Sequence, residues 1–242
     1  MPPESPSAAT FKSIAQAHQA YATLMQFAAP TEASPSDLTL GGRLLYAGEL
    51  NDPGATLTAA ANIAGAATLA ASAQPAALRQ AQREGVIDFL VNSLDEALRI
   101  LKNEIRKRQP VAVAVSIAPD IVVKEMLDRG VLPDLLPRHD PSSPAEFAAF
   151  AAQGARRLAA PPSQPGYRFC IWPIAIAFTQ RLAEFDALLL SHLPIDDHAN
   201  RRWLHLSPRY LGPAARRLRS LECNEETASG LISAFGQPYF SS

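Results

Sequence analysis

The sequence is short of cysteine, of net charge and of long apolar runs, and each shortage closes off a class of function. Two cysteines, Cys170 and Cys223, stand in 242 residues. They are too few for a disulfide framework and too far apart for a paired zinc site, so a reduced, cytoplasmic protein is expected. Lys and Arg number 22 against 23 Asp and Glu, a formal charge of −1. That balance supplies no overall field for nucleic acid or an anionic membrane. No run approaches the roughly 20 apolar residues of a membrane span, and the longest, residues 171–177, falls well below it. The first ten residues lack the basic and apolar regions of a signal peptide. Neither nucleic acid nor membrane is therefore an expected partner.

What is present is a globular composition, 48% apolar, in a chain long enough for one large domain or two small ones with a real core. Residues 1–10 are rich in Pro, Ser and Ala and read as a disordered lead-in. Residues 11–27 carry apolar positions at helical spacing, and prolines make 30–38 a linker. From Gly41 onward, strand and helix patterns alternate. Strands are expected at 43–47, 66–72, 86–91, 111–117 and 132–136. Helices are expected at 55–64, at 75–83 behind Pro75 and ahead of Gly85, at 94–105 behind a Ser93/Glu96 capping box, and at 119–129. The run Val111–Ile117 is apolar on both faces, as in parallel strands covered on both sides. The pattern predicts an α/β fold: a Rossmann-like, doubly wound parallel sheet with flanking N- and C-terminal helices. The expected divisions are an N-terminal helix and linker at 11–38, a Rossmann-like domain at 39–159, and a helical C-terminal region at 160–242. Within that last region 169–193 reads as buried helix, and two more helices are expected around Gly212-Pro213.

Ligands of such a fold sit at the carboxyl ends of the strands, so residues 48–54, 72–75, 92 and 116–118 should share one rim. A dinucleotide loop needs glycines so that a pyrophosphate can reach backbone N–H groups. Here Gly48 and Gly54 flank Glu49, Leu50, Asn51, Asp52 and Pro53, and the full Gly-x-Gly-x-x-Gly is missing. Leu50 is expected to crowd the approach, Pro53 removes a donor, and Glu49 and Asp52 add negative charge. At the end of the second strand, Ser72 stands where an acid normally holds a ribose.

Other chemistry-bearing residues are scattered. His139-Asp140-Pro141 forms a loop motif with no third partner in sight. Cys170 lies in an apolar run, where a structural cysteine is the default. Asp196-Asp197-His198 is explained by a helix cap as readily as by a metal. Arg201-Arg202 and Arg216-Arg217 with Arg219 suit an anion-binding face or, more simply, solvated helix surface.

Taken in order, GGRLLYAGEL, PGATLTAAANIAGAATLA, SLDEALRILKNEI, PVAVAVSI, IVVKEMLDRGVLPDLL and RHDP resemble the central nucleotide-binding domain of the urocanase (urocanate hydratase) family. Leu193-Pro194-Ile195-Asp196-Asp197-His198, Arg202-Trp203-Leu204 and Gly212-Pro213-Ala214-Ala215-Arg216 resemble segments beyond that domain. The resemblance implies a cytoplasmic homodimer of histidine breakdown that adds water to urocanate, with tightly bound NAD⁺ as electrophile. Carried over by position, the cofactor would meet Gly48, Asn51, Gly54, Thr56 and Ser72, together with His139 and Asp140. Phe169-Cys170 would match the catalytic cysteine. Family members are more than twice this length, and their C-terminal core finds no match in these residues. Two readings follow: a catalytically impaired relative that keeps the core as a binding or assembly module for a small molecule or nucleotide, and an active compact NAD-dependent lyase.

Overall fold

The computed structural model describes residues 7–30, 38–138, 144–159, 165–174, 182–235 and 239–240. The chain opens with α1 (Ala8–Met25) and a small hairpin of β1 (Ala29–Pro30) and β2 (Leu38–Thr39). The helix starts at Ala8 behind an Ser7 cap, so the expected lead-in is already helical at 8–10, while 1–6 lie outside the described residues. The α/β series follows: β3 (Leu44–Glu49), α2 (Asp52–Ala64), β4 (Ala67–Ala71), α3 (Pro75–Arg83), β5 (Phe89–Val91), α4 (Leu94–Lys107), β6 (Val111–Val115), α5 (Pro119–Asp128), β7 (Leu135–Leu136), α6 (Pro144–Ala152) and β8 (Arg156–Arg157). The C-terminal part holds β9 (Tyr167–Pro173), α7 (Leu182–Ser191), α8 (His198–Tyr210), α9 (Gly212–Ala215), β10 (Leu218–Asn224), α10 (Glu225–Phe235) and β11 (Tyr239–Phe240).

Six strands form one parallel sheet in the order β5-β6-β4-β3-β7-β8. From β3 the chain works outward through β4 to the edge strand β5 and returns with β6 between them. It then crosses to the other side of β3 to add β7 and β8. The direction of winding therefore reverses between β3 and β7, and a crevice opens at their carboxyl ends.

Alternating side chains of the buried strands feed three buried clusters. Leu44, Tyr46, Leu69, Val113 and Val115 pack with α4, α5 and α6. Leu45 and Leu135 point the other way, toward α1 and α2. Ala47, Ala70, Ala112 and Ala114, small enough to let helices approach, meet Leu50 and α3.

Two aspartates shorten the strands expected from sequence. Asp134 accepts the Leu44 N–H at 2.8 Å, and Asp88 accepts the Ala112 N–H at 2.8 Å. Each carboxylate takes a ladder position at a strand entrance, so β7 begins at Leu135 and β5 at Phe89. Ser93 caps α4 as expected, but Glu96 reaches back to the Asn92 N–H.

The C-terminal region departs from the helical expectation for 160–242. β9 pairs with β10 over seven residues, from Tyr167↔Asn224 to Pro173↔Leu218, and with β11 on its other side. Cys170, Ile171 and Trp172 are all buried because this strand is covered on both faces. Ile171 joins the core shared with α1, α2 and α8, while Cys170 and Trp172 face α7 and α10. A short run apolar on both faces carries no period that separates strand from helix. Residues 175–181, within the segment expected as buried helix, lie outside the described residues.

The C-terminal unit is bound tightly to the sheet's second face. Tyr21 Oη donates to the Ala199 carbonyl at 2.8 Å. The His18 ring stacks on Phe169 at 4.3 Å and meets Trp203 edge-on at 4.9 Å.

Candidate functional site

The switch-point crevice is a cleft of about 920 Å³. Its floor is the β3–α2 turn and its far wall is α5 with the segment after β7. Gln16, Gln19 and Thr23 of α1 close one side. Leu57 and Leu158 are apolar walls, while Glu49 and Asp120 bring negative charge opposite Arg138.

Two glycines shape the floor. β3 carries a bulge at Ala47, and the residue after it, Gly48, has φ 80°, a conformation that costs glycine nothing. Gly54 is needed for packing. A Cβ there would overlap the carbonyl oxygen of Glu49, so α2 starts in direct backbone contact with the end of its own strand. The turn is consequently shorter than the sequence suggests, with α2 beginning at Asp52.

That first turn is occupied by the chain's own groups. Asn51 Oδ1 accepts the Gly54 N–H at 3.1 Å and the Asn51 carbonyl accepts Ala55 N–H at 2.7 Å. Position 53 is proline and has no N–H. Asp52 places a carboxylate in the first turn, where the partial positive charge of a helix start favours an anion. Glu49 reaches sideways to the end of β4, where its Oε1 accepts a hydrogen bond from buried Ser72 Oγ at 2.6 Å. Ser72 Oγ in turn accepts the Gln74 N–H at 3.1 Å. Leu50 corrects the sequence reading. Its side chain is buried in the core with Leu78 and Ala81 under α3, so it does not crowd the cleft.

A family model described as the urocanase Rossmann-like domain matches residues 17–153, more than half of the chain. The chain belongs to the urocanase family. The matched span begins inside α1 and ends in the turn after α6, and so takes in the whole cleft except Gln16, Leu158 and Ala159. The six-stranded parallel sheet flanked by helices is the Rossmann-like architecture that this family domain names.

Within this urocanase-type domain the residues singled out from sequence separate. Asn51 and Gly54 line the cleft. Gly48 sits behind it at the bulge, and Ser72 connects to it through Glu49. Thr56 is half-buried on α2 and is not part of the lining. His139, Asp140 and Pro141 lie outside the described residues, directly after Arg138. Cys170 is in a different core, with Cys223, Leu189 and Leu231 around it. Gln16, Gln19 and Thr23 were not marked in the sequence, although their i, i+3, i+7 spacing puts three polar groups on one helix face. Asp120 was not marked either; it lies two residues past the 116–118 segment that the strand pattern placed on the rim.

The remaining polar clusters hold the fold together. Asp197 caps α8 through the Asn200 N–H at 3.1 Å. Arg201 donates to the carbonyls of Leu190 in the last turn of α7 and of Leu193 and Pro194 beyond it, and Arg202 to Ile63 at the end of α2 at 2.7 Å. Arg219 is buried in a two-point ion pair with Asp186. These three arginines are therefore neither solvated surface nor an anion face. Among the described residues no three His, Cys, Asp or Glu side chains converge as metal ligands, and no helix is long and apolar enough to cross a membrane.

Proposed function

We propose that this urocanase-family chain is a small-molecule binding module without hydratase activity, and that its switch-point cleft does not hold a dinucleotide as the family's fold would. The observation that carries the reading is the closed start of α2. A pyrophosphate bound at a helix N-terminus is held by backbone N–H groups. Here Asn51 takes one of those donors and Pro53 lacks one, while Asp52 and Glu49 repel the ligand's charge. The ribose position offers a serine already committed to Glu49. The groups present do not fit NAD⁺, and no catalytic step is built on it. Cys170 lies outside the cleft lining, which speaks against a catalytic role for it toward a ligand held there.

The other reading, an active NAD-dependent urocanate hydratase-like lyase, is favoured by one feature. The cleft itself stays open at the place where the fold binds nucleotides. One experiment separates the two. The purified full chain is denatured and the released small molecules analysed for NAD⁺, and native protein is assayed for loss of urocanate absorbance. Neither NAD⁺ nor turnover is expected; bound NAD⁺ with turnover overturns the proposal.

A further inference from the structure

We propose that Cys170 and Cys223 form an oxidative cross-linking site, in which a hydroperoxide converts the two thiols into a disulfide that pins β9 to β10. The two sulfurs lie 4.0 Å apart, and both residues are buried. Strand register makes the pairing specific. Cys170 lies opposite Leu221 and Cys223 opposite Arg168. Each cysteine is therefore two residues from the other's partner, which puts both on the same face of the antiparallel pair. A disulfide needs a separation of about 2.05 Å. As diagonal neighbours the two residues have Cα atoms about 7–8 Å apart, so closing the rest takes a small shift of the paired backbones as well as side-chain rotation.

The neighbours divide the roles. The Cys223 S–H points at Cys170 Sγ. That hydrogen bond, helped by the nearby Arg168 charge, draws the Cys170 thiol below its ordinary range, while the same contact and burial hold Cys223 well above it. Cys170 is then the attacking sulfur and Cys223 the resolving one. In the first step the Cys170 thiolate attacks one peroxide oxygen. An S–O bond forms, the O–O bond breaks, and the leaving oxygen takes a proton as water or alcohol. In the second step the Cys223 sulfur attacks Cys170 Sγ. An S–S bond forms, the S–O bond breaks, and the departing hydroxide leaves as water with the Cys223 proton. The two thiols lose two electrons and the peroxide gains them.

Leu189, Leu193 and Leu231 cover the pair. Oxidation is therefore paced by local opening of the C-terminal unit, and its rate should level off as peroxide rises. The test treats the full chain with hydrogen peroxide, then denatures it, alkylates remaining thiols and maps peptides by mass. The expected product is a monomer lighter by two hydrogens, with neither thiol alkylated, a peptide linking positions 170 and 223, and full reversal by dithiothreitol. In Cys223→Ser the reaction should stop at a sulfenic acid on Cys170 that dimedone captures. The wild-type mapping decides the matter without the variant. Thiols that remain alkylatable, added oxygen without a cross-link, or a link between two chains would overturn the proposal.

Discussion

At its first turn α2 is closed by residues adjacent in sequence: Asn51 caps the Gly54 N–H, Pro53 removes a donor and Asp52 adds charge. At its last turn the Gly65 and Ala66 N–H groups cap the Ala61 carbonyl locally, and the final two carbonyls are closed by groups from farther away. The Ala64 carbonyl accepts the Leu40 N–H at 2.8 Å and Thr39 Oγ1 at 3.1 Å, and the Ile63 carbonyl accepts Arg202 Nε at 2.7 Å. Every helix leaves donors at one end and acceptors at the other. In a nucleotide fold the donor end is the one kept open for phosphate. Here both ends are sealed, the first by local sequence and the second jointly by residues 39–40 and by Arg202 of the docked α8. A locally sealed end should withstand loss of the C-terminal unit, and a remotely sealed one should not.

Acid should break the remote seal first, and by the largest margin. His18 sits in the aromatic seam that joins α1 to Phe169 and Trp203, and burial lowers its pKa from 6.5 to about 3. The unfolded chain binds this proton more readily than the folded one between those values. The stabilisation is therefore complete above pH 6.5 and lost as pH falls toward 3, by on the order of 4 kcal/mol. Urea unfolding against pH should show that slope, and His18→Leu should flatten it.

At the local end, Gly54→Ala forces a Cβ into the Glu49 carbonyl. A loss of roughly 3 kcal/mol is expected from denaturant midpoints, because backbone must move on both sides. Arg202→Ala removes a charged donor from the Ile63 carbonyl and should cost about 2 kcal/mol. It should also increase hydrogen exchange in α8 more than at the α2 start. Asn51→Ala, the smallest change, loses one cap worth about 1 kcal/mol and should leave exchange in α8 as it was. Equal exchange patterns for these two variants would erase the distinction between the seals.

Much of the Rossmann half was legible in the sequence. Pro75 and Gly85 bracket α3, Ser93 caps α4, and the two-faced valine run is β6. Those signals are local, and local chemistry produces them. The β3–α2 turn was read correctly in its missing glycines but not in the place of Leu50, because a single sequence does not say which face a turn residue takes. β8, β9 and β10 escaped for a different reason. Two-residue strands have no period, and β9 and β10 are buried by a partner lying some 50 residues away in the chain. The arginines were misread in the same way. Arg201 and Arg219 find their carbonyl and carboxylate partners only once the C-terminal unit has folded, and Arg202 only once that unit has docked.

The closed start of α2 should exclude the family's cofactor. Isothermal titration of NAD⁺ into the purified full chain, after removal of any small molecule carried through purification, tests this directly. The sealed turn predicts no saturable heat at any accessible NAD⁺ concentration, and a saturating one-to-one isotherm would contradict it.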